Sequence, residues 1–319
     1  MPVRFVDEDT VNAALDPARL VAALRTAFCG DAIAPLRHHH SISGAQTGTD
    51  VTLLLMPAWS AGNPPGYIGI KSVTVHPDNP SRGLPSEQGV YLLLDGATGS
   101  PVALIDAPAL TARRTAAASA LASTFLSRRD AAHLLIIGTG RLAPELIRAH
   151  AATRPIRRVS VWGRNPEKAR TLADSFNPAQ YEVSVVTDLE PAVRDSDIVS
   201  CATTSRQPVF DGTWLTPGTH VDLVGGFRPD IREADDTAIT RARVLVDTRE
   251  GACREAGDIT QPLAAGLLTP SAIRADLFEL CRDEHAGRGL TSEITLFKSV
   301  GTAIEDLAAT ELLMTEIAP

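Results

Sequence analysis

Cysteine is scarce in this chain of 319 residues, and its positions lie far apart. The four cysteines are Cys29, Cys201, Cys253 and Cys281, with no CxxC pair and no spacing to histidine that is typical of a zinc site. We therefore expect reduced thiols in a reducing compartment and no bound metal. The run His38-His39-His40 does not change this, because adjacent residues of a strand point to opposite faces and cannot all face one ion.

Excess positive charge and long apolar runs are also missing. The formal net charge is -8, which argues against nucleic acid or an anionic membrane surface as the main partner. The sequence has no run of about 18 apolar residues, so we expect no membrane span. The first seven residues lack the basic segment and apolar stretch of a secretory signal. These absences predict a soluble cytoplasmic protein.

A chain of this length accommodates roughly two domains of about 150 residues each. The first part of the chain predicts a helix that begins after Asp16, followed by several strands. The expected strands cover residues 50–56, 67–75, 89–94 and 101–105. Together they predict a helix with an antiparallel sheet.

A different pattern begins near residue 131. It follows an expected alanine-rich helix over residues 110–129, and in it apolar strands alternate with helices. The expected strands cover residues 134–137, 159–162, 183–186, 197–202, 220–224 and 244–247, and a last helix covers residues 301–314. Such alternation is typical of a parallel, doubly wound sheet, so the predicted fold class is α/β of the Rossmann type.

A glycine-rich turn follows the strand at 134–137 directly. The run Gly138-Thr139-Gly140-Arg141-Leu142-Ala143 opens a helix and has the GxGxxA form of the dinucleotide fingerprint. The first glycine allows a tight turn, the second lets the backbone approach the pyrophosphate, and the small third residue lets helix and strand pack closely. The free N–H groups at the helix start then face the phosphates. We expect these six residues to bind a nicotinamide dinucleotide.

The end of the next strand distinguishes NAD from NADP. An NAD enzyme usually places Asp or Glu there to bind the ribose hydroxyls, but this chain has Val161-Trp162-Gly163-Arg164-Asn165-Pro166. A guanidinium can bind a 2′-phosphate, which a carboxylate would repel. We therefore expect Arg164, Asn165 and Lys168 to favour NADP(H), with NAD(H) still possible.

Six ordered blocks of sequence are specific when taken together. They are Gly69-Ile70-Lys71-Ser72-Val73, Leu110-Thr111-Ala112-Arg113-Arg114-Thr115-Ala116-Ala117, the fingerprint at Gly138, Arg228-Pro229-Asp230-Ile231-Arg232-Glu233, Glu255-Ala256-Gly257-Asp258, and Phe297-Lys298-Ser299-Val300-Gly301. Through them the chain resembles the ornithine cyclodeaminase/μ-crystallin family over nearly its whole length, and it is closest in motif to the ketimine (1-pyrroline-2-carboxylate) reductase branch.

The resemblance implies a homodimer built from two-domain chains. Residues 1–113 and 300–319 would form an α+β domain for substrate binding and dimerisation, and residues 114–299 would form the NAD(P)-binding Rossmann domain. It also implies a substrate that carries an α-carboxylate beside an amine or imine carbon. Similar proteins include ornithine and lysine cyclodeaminases, ketimine reductases and some alanine dehydrogenases.

Three cations are candidates for the substrate site: Arg37, Lys71 and Arg114. Hydride transfer belongs to the nicotinamide, so the protein must hold the substrate and neutralise its carboxylate. Lys71 lies within an apolar strand, where an unpaired charge is costly to bury and where a depressed pKa would suit proton transfer. We expect Lys71 to be a carboxylate ligand or the proton donor to the imine nitrogen, with Arg37 and Arg114 as a carboxylate clamp.

Residues at other strand ends complete the expected site. Thr203 and Thr204 end a parallel strand and would lie at the carboxyl edge, where dinucleotides bind. By the resemblance, Lys298 belongs to a loop near the nicotinamide. Glu87 or Gln88 could also reach the site, although a solvated loop position is the more ordinary one.

The favoured function is NADPH-dependent reduction of a cyclic ketimine, 1-pyrroline-2-carboxylate or 1-piperideine-2-carboxylate, to L-proline or L-pipecolate. The alternatives are a cyclodeaminase-type lyase with bound NAD, an alanine or N-methyl amino acid dehydrogenase, and a non-enzymatic dinucleotide-binding protein. Similar cyclodeaminases carry an aspartate after the Val-Gly-Gly run, where this chain has Phe227. Phenylalanine exchanges no proton, but it could line the substrate pocket and exclude water.

Overall fold

The computed structural model describes residues 3–43, 50–62 and 66–318. They form two compact units: unit 1 comprises the ranges Met1–Arg114 and Thr302–Pro319, and unit 2 comprises Thr115–Gly301. Within the described ranges, no helix has the length and apolar character that crossing a membrane requires.

The described elements follow one another along the chain as strands β1–β13 and helices α1–α11. The strands are β1 (Arg4–Val6), β2 (His38–Ile42), β3 (Val51–Trp59), β4 (Tyr67–Val75), β5 (Glu87–Asp95), β6 (Pro101–Asp106), β7 (His133–Ile137), β8 (Arg158–Trp162), β9 (Glu182–Val185), β10 (Ile198–Cys201), β11 (His220–Leu223), β12 (Arg243–Val246) and β13 (Thr295–Lys298). The helices are α1 (Glu8–Ala14), α2 (Pro17–Cys29), α3 (Ala107–Leu126), α4 (Leu142–Thr153), α5 (Pro166–Asp174), α6 (Leu189–Asp195), α7 (Asp236–Arg241), α8 (Arg249–Glu255), α9 (Gly257–Ala264), α10 (Leu277–Cys281) and α11 (Ala303–Glu316). Short 3₁₀ turns cover Asn79–Arg82, Gly212–Trp214 and Pro270–Ala272.

Unit 1 contains a six-stranded sheet in the order β1-β6-β5-β4-β3-β2. Strands β2 to β6 pair antiparallel, but β1 pairs parallel with β6, so the sheet is mixed. The four predicted strands, now β3 to β6, pair antiparallel as expected, and the parallel strand β1 at the edge was not predicted. The strand β1 has only three residues, too few to give the alternation on which the prediction depended.

Strand alternation sets the buried face of this sheet. Alternate residues of β3 and β4 are buried, and this pattern places Lys71 inward, with Met56 and Tyr91 as its cross-strand neighbours. Helix α11 packs against β3, β4 and α2. Helix α2 begins where the sequence predicted, with the Asp16 carboxylate accepting a hydrogen bond from the backbone of Arg19.

Unit 2 contains a seven-stranded, wholly parallel sheet in the order β12-β13-β11-β10-β7-β8-β9. This confirms the doubly wound α/β prediction and the six expected strands. The strand β13 was not predicted, and it lies between β11 and β12. The strands β7, β10, β11 and β13 are buried throughout, as expected for a sheet covered on both faces.

The chain reverses direction of winding between β7 and β10. From β7 it proceeds outward through β8 and β9, and then returns to the other side of β7 with β10 and β11. In doubly wound sheets, ligands bind outside the carboxyl ends of the strands at such a switch point. A ligand of unit 2 is therefore expected at the loops after β7, β8 and β10.

Candidate active site

Gly138 immediately follows β7 and has a left-handed backbone, with φ of 125°. A Cβ atom at this position would lie 2.5 Å from the carbonyl oxygen of Ala202. The Gly138 amide donates a hydrogen bond of 2.9 Å to the carbonyl of Trp162 at the end of β8. Glycine is required here both by the backbone conformation and by the close approach of a neighbouring strand end.

Gly140 differs from Gly138, because a Cβ there would meet no protein atom within 4 Å. Nothing in unit 2 demands glycine at this position, so the open space is a cradle for a group from outside. Ala143 is fully buried and lets α4 pack closely. Arg141, at the N-cap of α4, makes no capping bond with its side chain, so it leaves the first N–H groups to other acceptors. These features fit the pyrophosphate of a dinucleotide.

The remaining fingerprint residues frame this turn. Thr139 is partly exposed. A Cβ atom at Gly163 would lie 2.6 Å from Thr139 Cγ2, so the glycine-rich turn packs closely against the residue that follows β8. Leu142 is the first residue of α4. Whether these side chains touch a cofactor stays a prediction.

Past β8, the side chains of Arg164 and Lys168 are exposed. Neither forms an ion pair with any residue in the described ranges. Asn165 is the N-cap of α5, and its side-chain oxygen accepts from the backbone of Glu167 and Lys168 at 2.9 and 3.3 Å. The structure thus gives Asn165 a local capping role, whereas Arg164 and Lys168 are exposed cations that follow the end of β8.

A buried carboxylate organises the strand ends next to the cradle. Glu233 Oε1 accepts from both the backbone amide and the hydroxyl of Thr203, at 2.7 and 2.9 Å, and Oε2 accepts from the amide of Gly225 at 2.8 Å. Thr204, the next residue, is exposed. Phe227 follows the two glycines and is partly exposed. Thr203 is therefore held by Glu233, and Thr204 and Phe227 remain accessible.

Lys298 ends β13 and is fully buried. Its Nζ lies 3.0 Å from Asp258 Oδ2 and 3.8 Å from Glu233 Oε2. Burial raises the pKa of Glu233 to about 7, against the opposing effect of Lys298. Burial would lower the pKa of Lys298, but Asp258 and Glu233 raise it above its ordinary value. In this arrangement Lys298 supports the loop at Gly225 through its carboxylate neighbours, and direct contact with a cofactor stays a prediction.

Lys71 is only 2% exposed and lies at the centre of β4 in unit 1. Its Nζ donates to Asp306 Oδ1 at 2.9 Å and to the hydroxyl of Thr111 at 3.3 Å. Burial lowers the pKa of Lys71 to about 8, and the neighbouring Arg114 lowers it further, while Asp306 opposes the shift. The partner that the sequence required for a charge in an apolar strand is therefore Asp306.

Arg114 lies on α3 and is 4% exposed. Its Nε donates to the same Asp306 Oδ1 at 2.8 Å, and its Nη1 donates to Glu305 Oε2 at 2.5 Å. Burial would lower the pKa of Arg114, but Asp306 and Glu305 raise it above its ordinary value. Burial, followed by Asp306, raises the pKa of Tyr91 well above its ordinary value. Lys71, Arg114, Glu305 and Asp306 form one buried cluster, called here the Asp306 cluster.

The third predicted cation, Arg37, is partly buried before β2. Its Nη1 lies 4.0 Å from Sδ of Met56, the cross-strand neighbour of Lys71. Glu87 begins β5, is partly buried and acts electrostatically on Lys71. The structure thus brings Lys71 and Arg114 into direct contact with the common anion Asp306. Arg37 lies next to Met56, which in turn is the cross-strand neighbour of Lys71.

Four buried carboxylates that contact the predicted residues were missed by sequence reasoning: Glu233, Asp258, Glu305 and Asp306. Glu233 and Asp258 lie in blocks that carried the family resemblance, and that was the available signal for them. Glu305 and Asp306 lie in the first turn of α11, where acidic residues are ordinary in any helix. The histidines at 38–40 lie exposed in β2, and within the described ranges no group of three or more His, Cys, Asp or Glu could hold a metal ion.

Comparison with known proteins gives consistent results over nearly the whole chain. The model of the ornithine cyclodeaminase/mu-crystallin family matches residues 8–318. The Δ1-pyrroline-2-carboxylate reductase of Paracoccus denitrificans is 42% identical, over 87% of this chain and 89% of its own. The structure of the Thermococcus litoralis Δ1-pyrroline-2-carboxylate reductase in complex with NADH and L-proline is 33% identical, with a TM-score of 0.92 over 98% of this chain and 97% of that one. An archaeal alanine dehydrogenase dimer with bound NAD is 28% identical, with a TM-score of 0.90 over 99% and 96%.

Proposed function

The chain belongs to the ornithine cyclodeaminase/mu-crystallin family, and from this premise we propose that it is an NAD(P)H-dependent oxidoreductase that reduces Δ1-pyrroline-2-carboxylate to L-proline. The observation that carries the proposal is the likeness to the Thermococcus reductase, which was solved with NADH and L-proline. The cradle at Gly138 and Gly140 and the buried cations Lys71 and Arg114 are the features such a reaction needs.

The bound nicotinamide supplies the hydride. Lys71 and Arg114 would bind the substrate carboxylate with the N–H groups that Asp306, Glu305 and Thr111 do not use. A lysine ammonium has three donors and a guanidinium has five, and the structure assigns two of each within the described residues. Arg37 would complete the carboxylate clamp. With a pKa of about 8, Lys71 could also return a proton to the substrate nitrogen near neutral pH.

The preferred cofactor in this proposal is NADP(H). The support is the pair of exposed cations Arg164 and Lys168, which form no ion pair with the residues that the structure describes, and the absence of a carboxylate from the sequence at the end of β8. Thr139, Arg141, Leu142, Thr203, Thr204 and Lys298 belong to the same proposed site. The relatives solved with NADH or NAD bound carry the dinucleotide without a 2′-phosphate, so NAD(H) stays the alternative cofactor.

Reduction is proposed in preference to cyclodeamination because of Phe227. A cyclodeaminase must oxidise an amine, expel ammonia and reduce again, which asks more acid–base work of the site. Phe227 has no proton to exchange and is partly exposed, so it can lie against a substrate ring and exclude water that would hydrolyse an imine. The proposal extends to Δ1-piperideine-2-carboxylate and L-pipecolate, and to a homodimer as the active form.

The deciding experiment is a substrate panel with purified protein, in which NADPH or NADH absorbance is followed separately. The arms are Δ1-pyrroline-2-carboxylate, Δ1-piperideine-2-carboxylate, pyruvate with ammonia, and pyruvate with methylamine. We expect the cyclic imines to give the highest kcat/KM. Faster turnover with pyruvate and an amine would instead make the protein an alanine or N-methyl amino acid dehydrogenase.

A second assay tests the lyase alternative. The protein is incubated with L-ornithine and NAD+, and ammonia and proline are measured. We expect neither product. Stoichiometric release of both, at a rate equal to imine reduction or above it, would replace the reductase proposal with a cyclodeaminase.

A further inference from the structure

The two oxygens of Asp306 have different surroundings. Oδ1 accepts from both Lys71 and Arg114, whereas Oδ2 has no hydrogen-bond partner within the described part of the chain. The side chain is fully buried. A buried acceptor without a partner destabilises the folded protein, so an unused oxygen in the proposed substrate site calls for a donor from the ligand. This donor would have to approach close to the cations that bind the carboxylate.

The charges of the Asp306 cluster constrain what that donor can be. The positive charges of Lys71 and Arg114 are balanced by the negative charges of Asp306 and Glu305. Further charges of the described residues lie nearby: Arg37 beside Met56, Glu87 acting on Lys71, and Glu311 acting on Tyr91. They add one positive and two negative charges, so they supply no spare cation for a ligand. A ligand that brings only a carboxylate would add an uncompensated negative charge to a buried site, which is costly. A ligand with a protonated nitrogen next to its carboxylate would leave the balance intact.

We propose that Asp306 is a substrate-binding residue whose Oδ2 accepts a hydrogen bond from the protonated ring nitrogen, and that the balanced Asp306 cluster selects zwitterionic ligands over plain carboxylates. This inference rests on the proposed reductase function and adds the substrate form that the site takes. It assigns the carboxylate of the substrate to Lys71 and Arg114 and the adjacent nitrogen to Asp306.

The reaction balances on this form of the substrate. Hydride adds to the carbon of the protonated imine, and the π electrons of the C=N bond become the lone pair of the nitrogen. The product is a neutral secondary amine that keeps its N–H, the nicotinamide is oxidised, and no proton moves at the moment of transfer. The amine then takes a proton, from solvent or from Lys71, to give the product zwitterion. Asp306 stabilises the charged nitrogen before the transfer and the ammonium of the product after it.

The test compares two ligands of nearly equal shape. L-Proline carries an ammonium nitrogen in its ring, and L-tetrahydrofuran-2-carboxylate has an ether oxygen in the same place and a net charge of -1. Their affinities for the cofactor-loaded protein are measured by calorimetry at pH 7, with wild type, Asp306→Asn and the control Glu316→Gln. Glu316 lies on the same helix but pairs with the surface residue Arg19.

Wild type and Glu316→Gln should both prefer proline, by roughly tenfold or more, as expected for a charged hydrogen bond. Asp306→Asn should lose proline affinity and gain affinity for the furan analogue, because the amide removes one negative charge and offers an N–H to the ring oxygen. If Asp306 had only a structural role, Asp306→Asn would reduce the affinity for both ligands together, and that outcome would overturn the inference.

Two further outcomes separate this inference from the proposed function. Equal affinity of the wild type for both ligands would overturn it without any variant, so the test stands even if Asp306→Asn does not fold. Turnover of Δ1-pyrroline-2-carboxylate is measured in parallel. Selectivity for proline without turnover would refute the reductase function and support the charge-balance inference, whereas turnover without selectivity would do the reverse.

Discussion

Lys71 and Arg114, on a strand and on a helix respectively, donate to one and the same carboxylate oxygen, at 2.9 and 2.8 Å. The shared acceptor fixes the distance between two cations that would otherwise repel each other in a buried site. In the proposed reaction their remaining donors would be oriented before the substrate arrives, which would lower the entropy cost of binding its carboxylate. Removing either cation should therefore affect both chemistry and the stability of unit 1.

The first prediction concerns turnover. Lys71→Ala and Arg114→Ala should each reduce kcat/KM for the imine by roughly tenfold to a hundredfold or more, because each removes charged hydrogen bonds to the substrate carboxylate. The Kd for NADPH, measured by fluorescence titration, should change little. Arg113→Ala is the neighbouring control, since the Arg113 side chain bonds Asn12 on α1. Near-normal kcat/KM in either test variant would remove that residue from the site.

The variants of the Asp306 cluster also report on stability. Arg114→Ala leaves Glu305 and Asp306 buried with one cation fewer, and breaking a buried ion pair costs about 3–5 kcal/mol. Urea unfolding of Arg114→Ala should show this loss, and the kinetic comparison is made only at urea-free conditions where the variant is folded. Arg113→Ala should lower the free energy of unfolding by less than Arg114→Ala does.

The second prediction concerns pH and uses a ligand that does not titrate in the range. Burial and Arg114 lower the pKa of Lys71 from 10.5 to about 8, so its ammonium is lost at a lower pH in the folded protein than in the unfolded chain. Affinity for L-tetrahydrofuran-2-carboxylate should therefore be constant below about pH 8 and fall above it, by at most tenfold per pH unit. In Asp306→Asn the break should move to lower pH, because Asp306 raises the pKa of Lys71. A profile that is flat to pH 10 would show that the charge on Lys71 is not used.

As pH rises above about 8, the free energy of unfolding should change in the opposite direction from the ligand affinity. Between the folded pKa of about 8 and the ordinary value of 10.5, the unfolded chain binds more protons at Lys71 than the folded protein does. The contribution of Lys71 to the free energy of unfolding should therefore rise with pH across this window. Comparing the pH dependence of unfolding in wild type and Lys71→Met isolates this contribution.

The third prediction contrasts two glycines of one turn. Gly138→Ala should destabilise unit 2, since φ is 125° and the new Cβ would lie 2.5 Å from the Ala202 carbonyl. Gly140→Ala should keep the fold and its melting temperature, because no protein atom lies within 4 Å, yet weaken cofactor binding. Thermal melts and NADPH titrations of both variants give the answer. Unchanged affinity in a folded Gly140→Ala protein would mean that the dinucleotide does not approach this backbone.

The fourth prediction concerns cofactor choice. Arg164→Ala should reduce the NADPH to NADH ratio of kcat/KM by roughly tenfold or more, the worth of a charged contact to phosphate. Arg170→Ala is the matched control, because Arg170 is an exposed arginine of α5 that already pairs with Glu167. An unchanged ratio in Arg164→Ala would contradict the assignment of Arg164 to the 2′-phosphate.

Sequence patterns predicted the parallel sheet well because its strands are apolar runs between helices. Strand β13 escaped prediction, since four residues that include a lysine and a threonine carry no clear period. The same lysine, Lys298, is tolerated there only because Asp258 and Glu233 lie beside it, a fact of tertiary structure. Helix α1 and strand β1 were too short for their patterns to be recognised.

The candidate site was predictable in its cations but not in its anions. Lys71 was noticeable because a charge interrupts an apolar strand, and Arg114 because it lies in a block shared with similar proteins. Glu305 and Asp306 gave no such signal, because they lie nearly 200 residues or more along the chain from the cations they contact. Only folding brings the last helix onto the sheet that contains Lys71.

The position of β13 between β11 and β12 has a consequence for synthesis on the ribosome. Strands β11 and β12 do not pair with each other, because each pairs with β13. Since β13 comes last in the sequence, β12 leaves the ribosome long before the strand that joins it to the sheet. Until residues 295–298 leave the tunnel, the nascent chain presents an unpaired edge on β11, the kind of surface that recruits chaperones or aggregates. Nascent chains arrested before and after this segment has emerged should differ sharply in protease resistance, with compaction of the parallel sheet appearing only in the longer one.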